Sequence, residues 1–372
     1  MANLKRSFCF VTEADLDREA AGGVIAEKQM LHILGKFGDV QVIYLQRKKR
    51  GSTLLALLLL NLEILKSFSK DYDVYFCRGL VTSFSVLFLR LFRKRVKVVH
   101  RTPLPSAAGE VRYLGYNKLE ALVRYGIFHF LDKVVLPRVD AVCIPFSEYT
   151  SDLQAMGVKK DRIFVVLHFY VEEDFFKQPI KKTIDENFKI CSVSGFHLYH
   201  NLFALIEAFE ILAKSEKGSE LFLVGDGILR PFVEKKIAEK SLAERVKFTG
   251  KIPHLSVPSF LAKMDAFVSV SRTPAISGSL LEAAAAGKAI IAVKKSEGTI
   301  MDYYFRPGIE TYVVDSFSSD QIAEAMRSLY HDSQLRITLA TKAREAAQRY
   351  FTQDVALQQY SSLLNEICRG SK

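Results

Sequence analysis

Three segments of small residues could bring backbone N–H groups close to an anionic ligand. Gly22-Gly23 and Ser277-Gly278-Ser279 each precede a helical pattern, and Gly225-Asp226-Gly227 ends an apolar run. A helix N-terminus offers unpaired N–H groups and the positive end of its dipole to a phosphate, and glycine lets the backbone approach closely. Glu282 lies one turn into the second of these helices, where its carboxylate could accept two hydrogen bonds from vicinal hydroxyl groups.

Each segment also has a purely structural interpretation. Gly22-Gly23 can be a plain strand-to-helix turn, and Gly225-Asp226-Gly227 can be a simple tight turn. Glu282 can be a charge on a helix surface. However, it stands between Leu281 and a run of alanines, where such a charge is less expected. We therefore favour a binding role for Glu282.

The elements that must position these residues alternate along the chain. Short apolar runs predict strands, and the stretches between them show helical spacing of apolar residues. The predicted strands are residues 7–12, 40–45, 74–77, 96–100, 141–144, 189–193, 221–224, 246–249, 266–270 and 289–293. This alternation indicates parallel strands joined by crossover helices.

The length of the chain and one polar stretch together predict two domains. A chain of 372 residues exceeds what one hydrophobic core usually fills, and residues 177–187 are typical of a linker. We predict two tandem doubly wound, Rossmann-like α/β domains over residues 1–178 and 179–351, with a final helix within residues 352–370 packing back on the first. Such folds bind ligands at the carboxyl ends of their strands, which predicts a cleft between the domains.

Cysteine usage and apolar runs indicate a cytoplasmic protein. The five cysteines are odd in number and scattered, which argues against a disulfide framework or a zinc site and for a reducing compartment. The N-terminal apolar run is too short for a signal peptide. The longest aliphatic run, residues 53–65, is too short to span a membrane and is interrupted by Asn61 and Glu63, so we predict a buried amphipathic helix there.

The net charge of +11 suggests an anionic partner. Much of it lies in two basic bursts, residues 47–50 and 90–97, that flank apolar helical patterns. Because the bursts lack regularly interleaved aromatic residues, we favour the cytoplasmic face of a membrane over nucleic acid. A solvated basic surface is the alternative.

Three motifs of the second half occur in a fixed order. They are residues 221–230 (LFLVGDGILR), 246–254 (VKFTGKIPH) and 260–287 (FLAKMDAFVSVSRTPAISGSLLEAAAAG). In order and spacing they resemble the retaining glycosyltransferases of family 4, which have the GT-B fold. The first half adds weaker matches at Gly22-Gly23, in the strand that ends at His100, and over residues 140–148.

The resemblance implies a nucleotide-sugar donor, with the first domain on the acceptor side. Glu282 would hold the ribose, the helix N-terminus at Ser277 would hold the pyrophosphate, and residues 250–253 would lie against the base. His100 would contact the donor sugar and is the candidate catalytic residue. The implied donor-binding residues are Gly22, Gly23, His197, His200, Asn201, Gly225, Asp226, Gly227, Lys251, Ile252, Ala275, Ile276, Ser277 and Glu282.

Two places depart from the family's pattern. The family has an Arg and a Lys that clamp the pyrophosphate after the first strand of the second domain. Here Phe196 or His197 stands near the Arg position, and His200 or Asn201 near the Lys position. The family also has a glutamate where Pro274 stands, eight residues before Glu282. Because the proline ring cannot accept a hydrogen bond from a sugar hydroxyl, sugar recognition must differ or be lost.

The resemblance implies hexosyl transfer with retention and without a metal ion or other cofactor. In that mechanism the leaving phosphate helps to deprotonate the acceptor hydroxyl, and the protein positions the donor and stabilises the departing charge. Asp15-Leu16-Asp17 looks like a metal-binding D-x-D motif, but it precedes Gly22-Gly23, so we interpret it as a polar loop. The expected partners are a nucleotide sugar, a glycan or lipid-linked acceptor and an anionic membrane surface.

Three other functions remain open at this point. The chain could be a catalytically silent relative, acting as a binding or partner subunit that keeps the cleft without turnover. It could be a sugar-nucleotide epimerase of similar two-domain shape, although the order of the motifs favours the transferases. A nucleic-acid binder would have to explain the same motifs and is the least favoured.

Overall fold

The computed structural model describes residues 6–14, 16, 22–44, 53–92, 96–102, 118–272, 276–294 and 304–369. The chain forms two compact units. The first comprises Met1–Tyr170 and Asp354–Lys372, and the second comprises Val171–Gln353. The polar stretch 177–187 belongs to the second unit, where Lys181 forms ion pairs with Asp185 at 2.9 Å and with Asp265 at 3.0 Å.

The first unit is built on a parallel sheet. Its described strands have the order β2-β1-β3-β4-β5-β6. They are β1 (Arg6–Thr12), β2 (Gly38–Tyr44), β3 (Val74–Arg78), β4 (Lys97–Arg101), β5 (Ala141–Ile144) and β6 (Ile163–Val165). The register places Arg78 beside Arg101 at the carboxyl ends of β3 and β4.

The second unit is built on another parallel sheet, with the described order β12-β11-β10-β7-β8-β9. Its strands are β7 (Phe188–Val193), β8 (Ser219–Val224), β9 (Val246–Gly250), β10 (Ala266–Ser269), β11 (Ala289–Val293) and β12 (Tyr312–Val314). The strand order reverses between β7 and β10, as it does between β1 and β3 in the first sheet. Doubly wound sheets bind ligands at such switch points.

Helices connect the strands in both units. In the described residues they are α1 (Gly22–Gly35), α2 (Thr53–Ser67), α3 (Leu80–Arg90), α4 (Lys118–Val135), α5 (Thr150–Ala155), α6 (Glu173–Phe176), α7 (Leu202–Ser215), α8 (Arg230–Glu239), α9 (Val257–Ala262), α10 (Gly278–Ala285), α11 (Ser319–His331), α12 (Ser333–Tyr350) and α13 (Gln353–Ile367). In α13, Tyr360 packs against Phe76 of the first sheet, with ring centroids 6.4 Å apart.

The predicted fold class, two doubly wound α/β domains, is confirmed. Each predicted strand is present within two residues of its expected bounds. The strands β6 and β12 were not predicted. Both are three-residue strands at the edge of a sheet, and such a short, partly exposed run carries almost no periodic signal.

The aliphatic run at residues 53–65 does form a helix, but the prediction that it is buried was wrong for its outer face. Leu60 and Ile64 are buried, whereas Leu59, Leu62 and Leu65 are each about half exposed. Because almost every position of this run is aliphatic, a helix must place apolar side chains on both faces. In the described part of the chain, no helix is both long and apolar enough to cross a membrane.

Candidate functional site

A small cavity opens at the switch point of the second sheet, where β7 and β10 end. Six serines and His200 line it, together with the apolar residues Val193, Phe267, Val268 and Val270. The lining serines are Ser192, Ser194, Ser269, Ser271, Ser277 and Ser279. Hydroxyl groups can donate hydrogen bonds to an anion without carrying charge, so this serine cavity is suited to a phosphate or a sugar.

The N-terminus of α10 is directed at the serine cavity. The side-chain oxygen of Ser277 caps the helix by accepting a hydrogen bond from the N–H of Leu280 at 3.3 Å. Ser277 and Ser279 both line the cavity, which places the positive end of the helix dipole next to it. Ile276 is buried just before the cap, and Ala275 and Pro274 lie outside the described residues.

Two polar side-chain atoms, one on a cavity-lining residue and one on the residue that follows His200 in the chain, lack a hydrogen-bond partner within the described residues. They are Oγ of Ser194 and Nδ2 of Asn201, and both are buried. Asn201 follows His200 and adopts a left-handed conformation with φ of 51°, which asparagine tolerates better than most residues. Because buried polar groups are nearly always paired, these two atoms are candidates for contact with a ligand.

The glycines of the turn after β8 are required by contacts within the protein. Gly225 has φ of +130°, and a Cβ there would lie 1.9 Å from the carbonyl oxygen of Ser194. A Cβ on Gly227 would lie 2.6 Å from the carbonyl oxygen of Phe196. Asp226 forms a long ion pair with Arg230 at 3.6 Å. Packing within the protein is therefore enough to explain the two glycines. The role of this turn in a nucleotide pocket stays a prediction.

Glu282 is buried and forms a hydrogen bond that the sequence did not indicate. Its Oε1 lies 2.8 Å from Nε2 of His254. Burial raises the pKa of Glu282, and the contact with His254 partly offsets that rise. The same hydrogen bond raises the pKa of His254. The second imidazole nitrogen of His254 lies 3.9 Å from the carboxylate of Glu172, which immediately precedes α6.

The loop that carries His254 also carries Lys251 and Ile252. Lys251 is exposed and Ile252 is partly buried, and the loop ends in the short helical turn His254–Ser256. The contact between His254 and Glu282 holds the end of this loop beside α10. The predicted contact of Lys251 and Ile252 with a base is untested.

The two histidines near the family's phosphate-clamp positions have neighbouring rings, with centroids 6.5 Å apart. His200 lines the serine cavity. His197 instead stacks on Tyr199, with ring centroids 5.5 Å apart and an interplanar angle of 17°, and its ring lies over Gly195. His200 is therefore the stronger candidate for contact with a phosphate.

The other predicted residues belong to the first unit. Gly22 and Gly23 begin α1. His100 lies near the end of β4, buried, with Nδ1 2.7 Å from the hydroxyl of Ser83. Burial lowers the pKa of His100 to about 4, so its imidazole is neutral at neutral pH. The predicted contacts of these three residues with a donor stay predictions.

Sequence reasoning missed most of the cavity, the partner of Glu282 and the second carboxylate that faces that partner. His254 belongs to the quoted motif GKIPH but received no role, and Glu172 gave no signal because it is far from Glu282 in the sequence. The serines at the ends of β7 and β10 could have been found from their common position, immediately after apolar runs.

No metal centre is apparent in the described residues, where no three His, Cys, Asp or Glu side chains are grouped to hold an ion. Asp15 and Asp17 of the D-x-D sequence lie outside the described residues. The metal-independent reaction therefore stays a prediction.

Residues 172–346 match the family model described as glycosyl transferases group 1. The match contains the serine cavity, α10, Glu282, His254 and Glu172. Among curated proteins, the chain is 26% identical over 162 residues to the alpha-D-kanosaminyltransferase of Streptomyces kanamyceticus, covering 44% of this chain and 41% of that protein. It is 29% identical over 170 residues to the lipopolysaccharide core biosynthesis glycosyltransferase LpsE of Rhizobium meliloti, covering 46% of each. The alignments thus span less than half the length of these relatives.

Solved structures match over nearly the whole chain. HepE of Anabaena, in complex with UDP and glucose, has a TM-score of 0.72 at 15% identity, covering 97% of this chain and 99% of that one. Sucrose-phosphate synthase of Thermosynechococcus elongatus has a TM-score of 0.76 at 17% identity, covering 98% and 100%. At this identity the likeness concerns the fold. The chain therefore has the GT-B fold of solved glycosyltransferases and, over most of its second unit, resembles the group 1 glycosyl transferases.

Proposed function

We propose that the chain is a retaining glycosyltransferase that takes a hexose from a nucleotide sugar and transfers it to a membrane-associated acceptor. The observation that supports this most is the convergence of the α10 N-terminus, the serine cavity and the buried Glu282 at one edge of the second sheet. All three lie within the segment that resembles the group 1 glycosyl transferases.

The arrangement assigns each part of a donor to a group of matching chemistry. The diphosphate would lie at the α10 N-terminus, where backbone N–H groups, the serine hydroxyls and His200 could donate hydrogen bonds and the helix dipole favours negative charge. The ribose would lie against Glu282, because a carboxylate can accept hydrogen bonds from both ribose hydroxyls. HepE binds UDP in its crystal structure, which supports uridine nucleotides as the first donors to test.

The chemistry that we propose needs no covalent group from the protein. The bond between the anomeric carbon and the phosphate oxygen breaks, the acceptor oxygen bonds to that carbon on the same face, and the acceptor proton passes to the departing phosphate. The helix N-terminus and the hydroxyl donors stabilise the negative charge on that phosphate. Neutral donors would thus replace the Arg and Lys of the resembled family, and the reaction would proceed without a metal ion.

The alternative is a silent relative that binds nucleotide sugars without turnover. Two observations favour it: the absence of Arg and Lys from residues 195–201, and the proline at position 274. Both changes weaken contacts to the donor, but the α10 N-terminus and the serine cavity supply other contacts in the same region. We therefore favour the active enzyme.

The membrane part of the proposal is supported by an apolar face on the first unit. The helix α3 contacts both α2 and α4, and these helices, with the two residues that follow α3, carry exposed large apolar side chains. These are Leu59, Leu62, Leu65, Phe84, Phe88, Leu91, Phe92, Ile127 and Phe130. Large apolar side chains exposed on neighbouring helices support a partner surface there, because exposed apolar patches mark interaction or membrane sites.

The charge near this apolar face is less than the sequence suggests. Arg90 and Lys97 both form ion pairs with Asp140, at 2.8 and 3.4 Å, so these two cations are already partnered. Lys133 and Arg138, at the end of α4, are exposed. Residues 47–50 and 93–95 lie outside the described residues. The partner that fits both the exposed apolar side chains and the net charge of +11 is an anionic bilayer.

Turnover separates the enzyme from the silent relative. We expect the protein to release nucleoside diphosphate slowly from at least one uridine or guanosine diphosphate sugar, at the same rate with and without EDTA. The silent relative would show a thermal shift with the same nucleotide sugars but no release. If neither release nor a thermal shift is seen across the panel, the proposed function is wrong.

Removing the ribose contact should weaken nucleotide binding. A hydrogen bond to a charged group contributes about 1.5–3 kcal/mol, so we expect Glu282→Ala to weaken the binding of UDP by tenfold or more in calorimetry. Glu239→Ala removes an exposed carboxylate of the same unit and is the control. Equal affinity of both variants and the wild type would refute the assignment of Glu282.

The two histidines of the loop after β7 should differ in their effect on phosphate binding. Because His200 lines the cavity and His197 stacks on Tyr199, we expect His200→Ala to weaken UDP binding about three- to tenfold. Uridine, which has no phosphate, should bind both proteins alike. His197→Ala is the matched control and should bind UDP like the wild type. If His200→Ala also leaves UDP affinity unchanged, the backbone and the serines hold the phosphate without His200.

Binding to vesicles tests the apolar face. We expect the wild type to bind liposomes that contain acidic lipid and to release them as salt screens the charges. The double variant Phe88→Ser/Phe92→Ser should lose most of this binding. Ile228→Ser/Leu255→Ser removes two comparably exposed apolar side chains of the second unit and should bind normally. Equal losses in both double variants, or equal binding to neutral lipid, would contradict a specific membrane face.

A further inference from the structure

A chain of three polar side chains crosses from α6 to α10. Glu282 of α10 is 6% exposed, and within the described residues its side chain has one hydrogen bond, from Nε2 of His254 to Oε1 at 2.8 Å. Nδ1 of His254 faces the carboxylate of Glu172 at 3.9 Å. The ring of Phe175 lies beside the imidazole, with centroids 5.6 Å apart. One nitrogen of His254 is therefore within hydrogen-bond distance of Glu282, and the other faces Glu172 at ion-pair distance.

A buried carboxylate needs a partner to remain ionised. Burial favours the protonated form and raises the pKa of Glu282, whereas the hydrogen bond from His254 lowers it. Protonation would turn one of the two acceptor oxygens into a donor. A carboxyl group without a fixed partner could also rotate, and then neither oxygen would have a defined direction. The function proposed for Glu282 depends on both conditions, because ribose recognition needs an ionised and oriented acceptor.

We propose that His254 is a positioning residue for the ribose site: it holds Oε1 of Glu282, so that Oε2 is left to accept hydrogen bonds from the ribose hydroxyls. Glu172 in turn holds the imidazole with Nε2 directed at Glu282. This inference rests on the proposed function, since it concerns the same site. It implies that His254 and Glu172 help the protein to distinguish ribose from deoxyribose nucleotides, although neither side chain would touch the nucleotide.

The test compares UDP with 2′-deoxy-UDP by calorimetry in the wild type and in three variants. Removal of one ribose hydroxyl measures how much the Glu282 contact contributes, so the wild type should bind UDP about tenfold more tightly than 2′-deoxy-UDP. Glu282→Ala should bring this ratio close to one. His254→Asn, which is too short to reach Oε1, should do nearly the same. His254→Gln places an amide N–H near the position of Nε2 and should retain most of the ratio.

A second measurement separates positioning from a general loss of structure. Glu282 accepts hydrogen bonds only when ionised, so UDP affinity falls as the pH falls through its pKa. Removing the hydrogen bond from His254 raises that pKa further, so His254→Asn should lose affinity at a higher pH than the wild type. Among the described residues, Glu172 is the other charged group that contributes at Glu282 and His254, and Glu172→Gln should reduce the ratio less than His254→Asn. Ionisation of the UDP phosphates is common to all variants and cancels in the comparison.

Three outcomes would overturn the inference. The first is that His254→Asn and His254→Gln both show the same ratio of UDP to 2′-deoxy-UDP affinity as the wild type. The second is an equal loss of affinity for both nucleotides, with the ratio and the pH profile unchanged, because this is what a purely structural role predicts. The third is an equal loss of the ratio in His254→Gln and His254→Asn, because the retained donor would then be irrelevant. A wild type that binds neither UDP nor GDP would instead refute the proposed function itself, together with this inference.

Discussion

In the described residues, every strand of both sheets pairs in parallel with its neighbours. Parallel strands can be joined only by crossover connections, so every segment that follows a strand begins at the same edge of its sheet. Between β7 and β10 the connections turn away in opposite directions and leave a gap above the strand ends. The serines after both strands, His200 and the N-terminus of α10 meet at this gap. Their proximity is a consequence of topology, since the segments that carry them are distant in the sequence.

Polar groups line part of that gap or lie close to it in the chain, and within the described residues some of them are incompletely satisfied. Ser194 and Asn201 have buried side-chain atoms without a partner in the described residues, and Glu282 shares a single hydrogen bond with His254. Unpaired buried groups cost free energy in the unliganded protein. A ligand that supplies the missing partners recovers that cost, which favours binding of a group rich in hydroxyl and phosphate oxygens. The unpaired groups at this edge of the sheet therefore lower the stability of the unliganded protein and favour the binding of such a ligand.

The first unit contains buried charge of a different kind. Glu27 of α1 is fully buried and accepts from Arg78 at 2.7 Å and from Arg101 at 2.8 Å, at the carboxyl ends of β3 and β4. Removing one member of such a group would leave an uncompensated buried charge, so the three side chains depend on one another. On the outside of the same unit, α2, α3 and α4 expose apolar side chains that a water-facing surface would not favour. The unit thus combines a polar, internally paired sheet edge with an apolar exterior.

The pattern of the sequence predicted the strands, their parallel pairing and the start of α10 at Ser277, because these depend on local periodicity and on capping preferences. It failed for β6 and β12, whose three-residue runs are too short to show a period. It also failed for the outer face of α2, because a run of leucines does not reveal which side is covered.

Within the candidate site, the sequence alone determined that a carboxylate, two histidines and a capped helix were available. Tertiary structure decided which of them meet. His200 lines the cavity and His197 does not, although their rings are neighbours with centroids 6.5 Å apart. Glu282 pairs with His254, and His254 with Glu172, because the fold brings α10, the turn that begins at His254 and the residue before α6 together. Contacts of this kind depend on distances between residues far apart in the chain, and neither composition nor spacing encodes those distances.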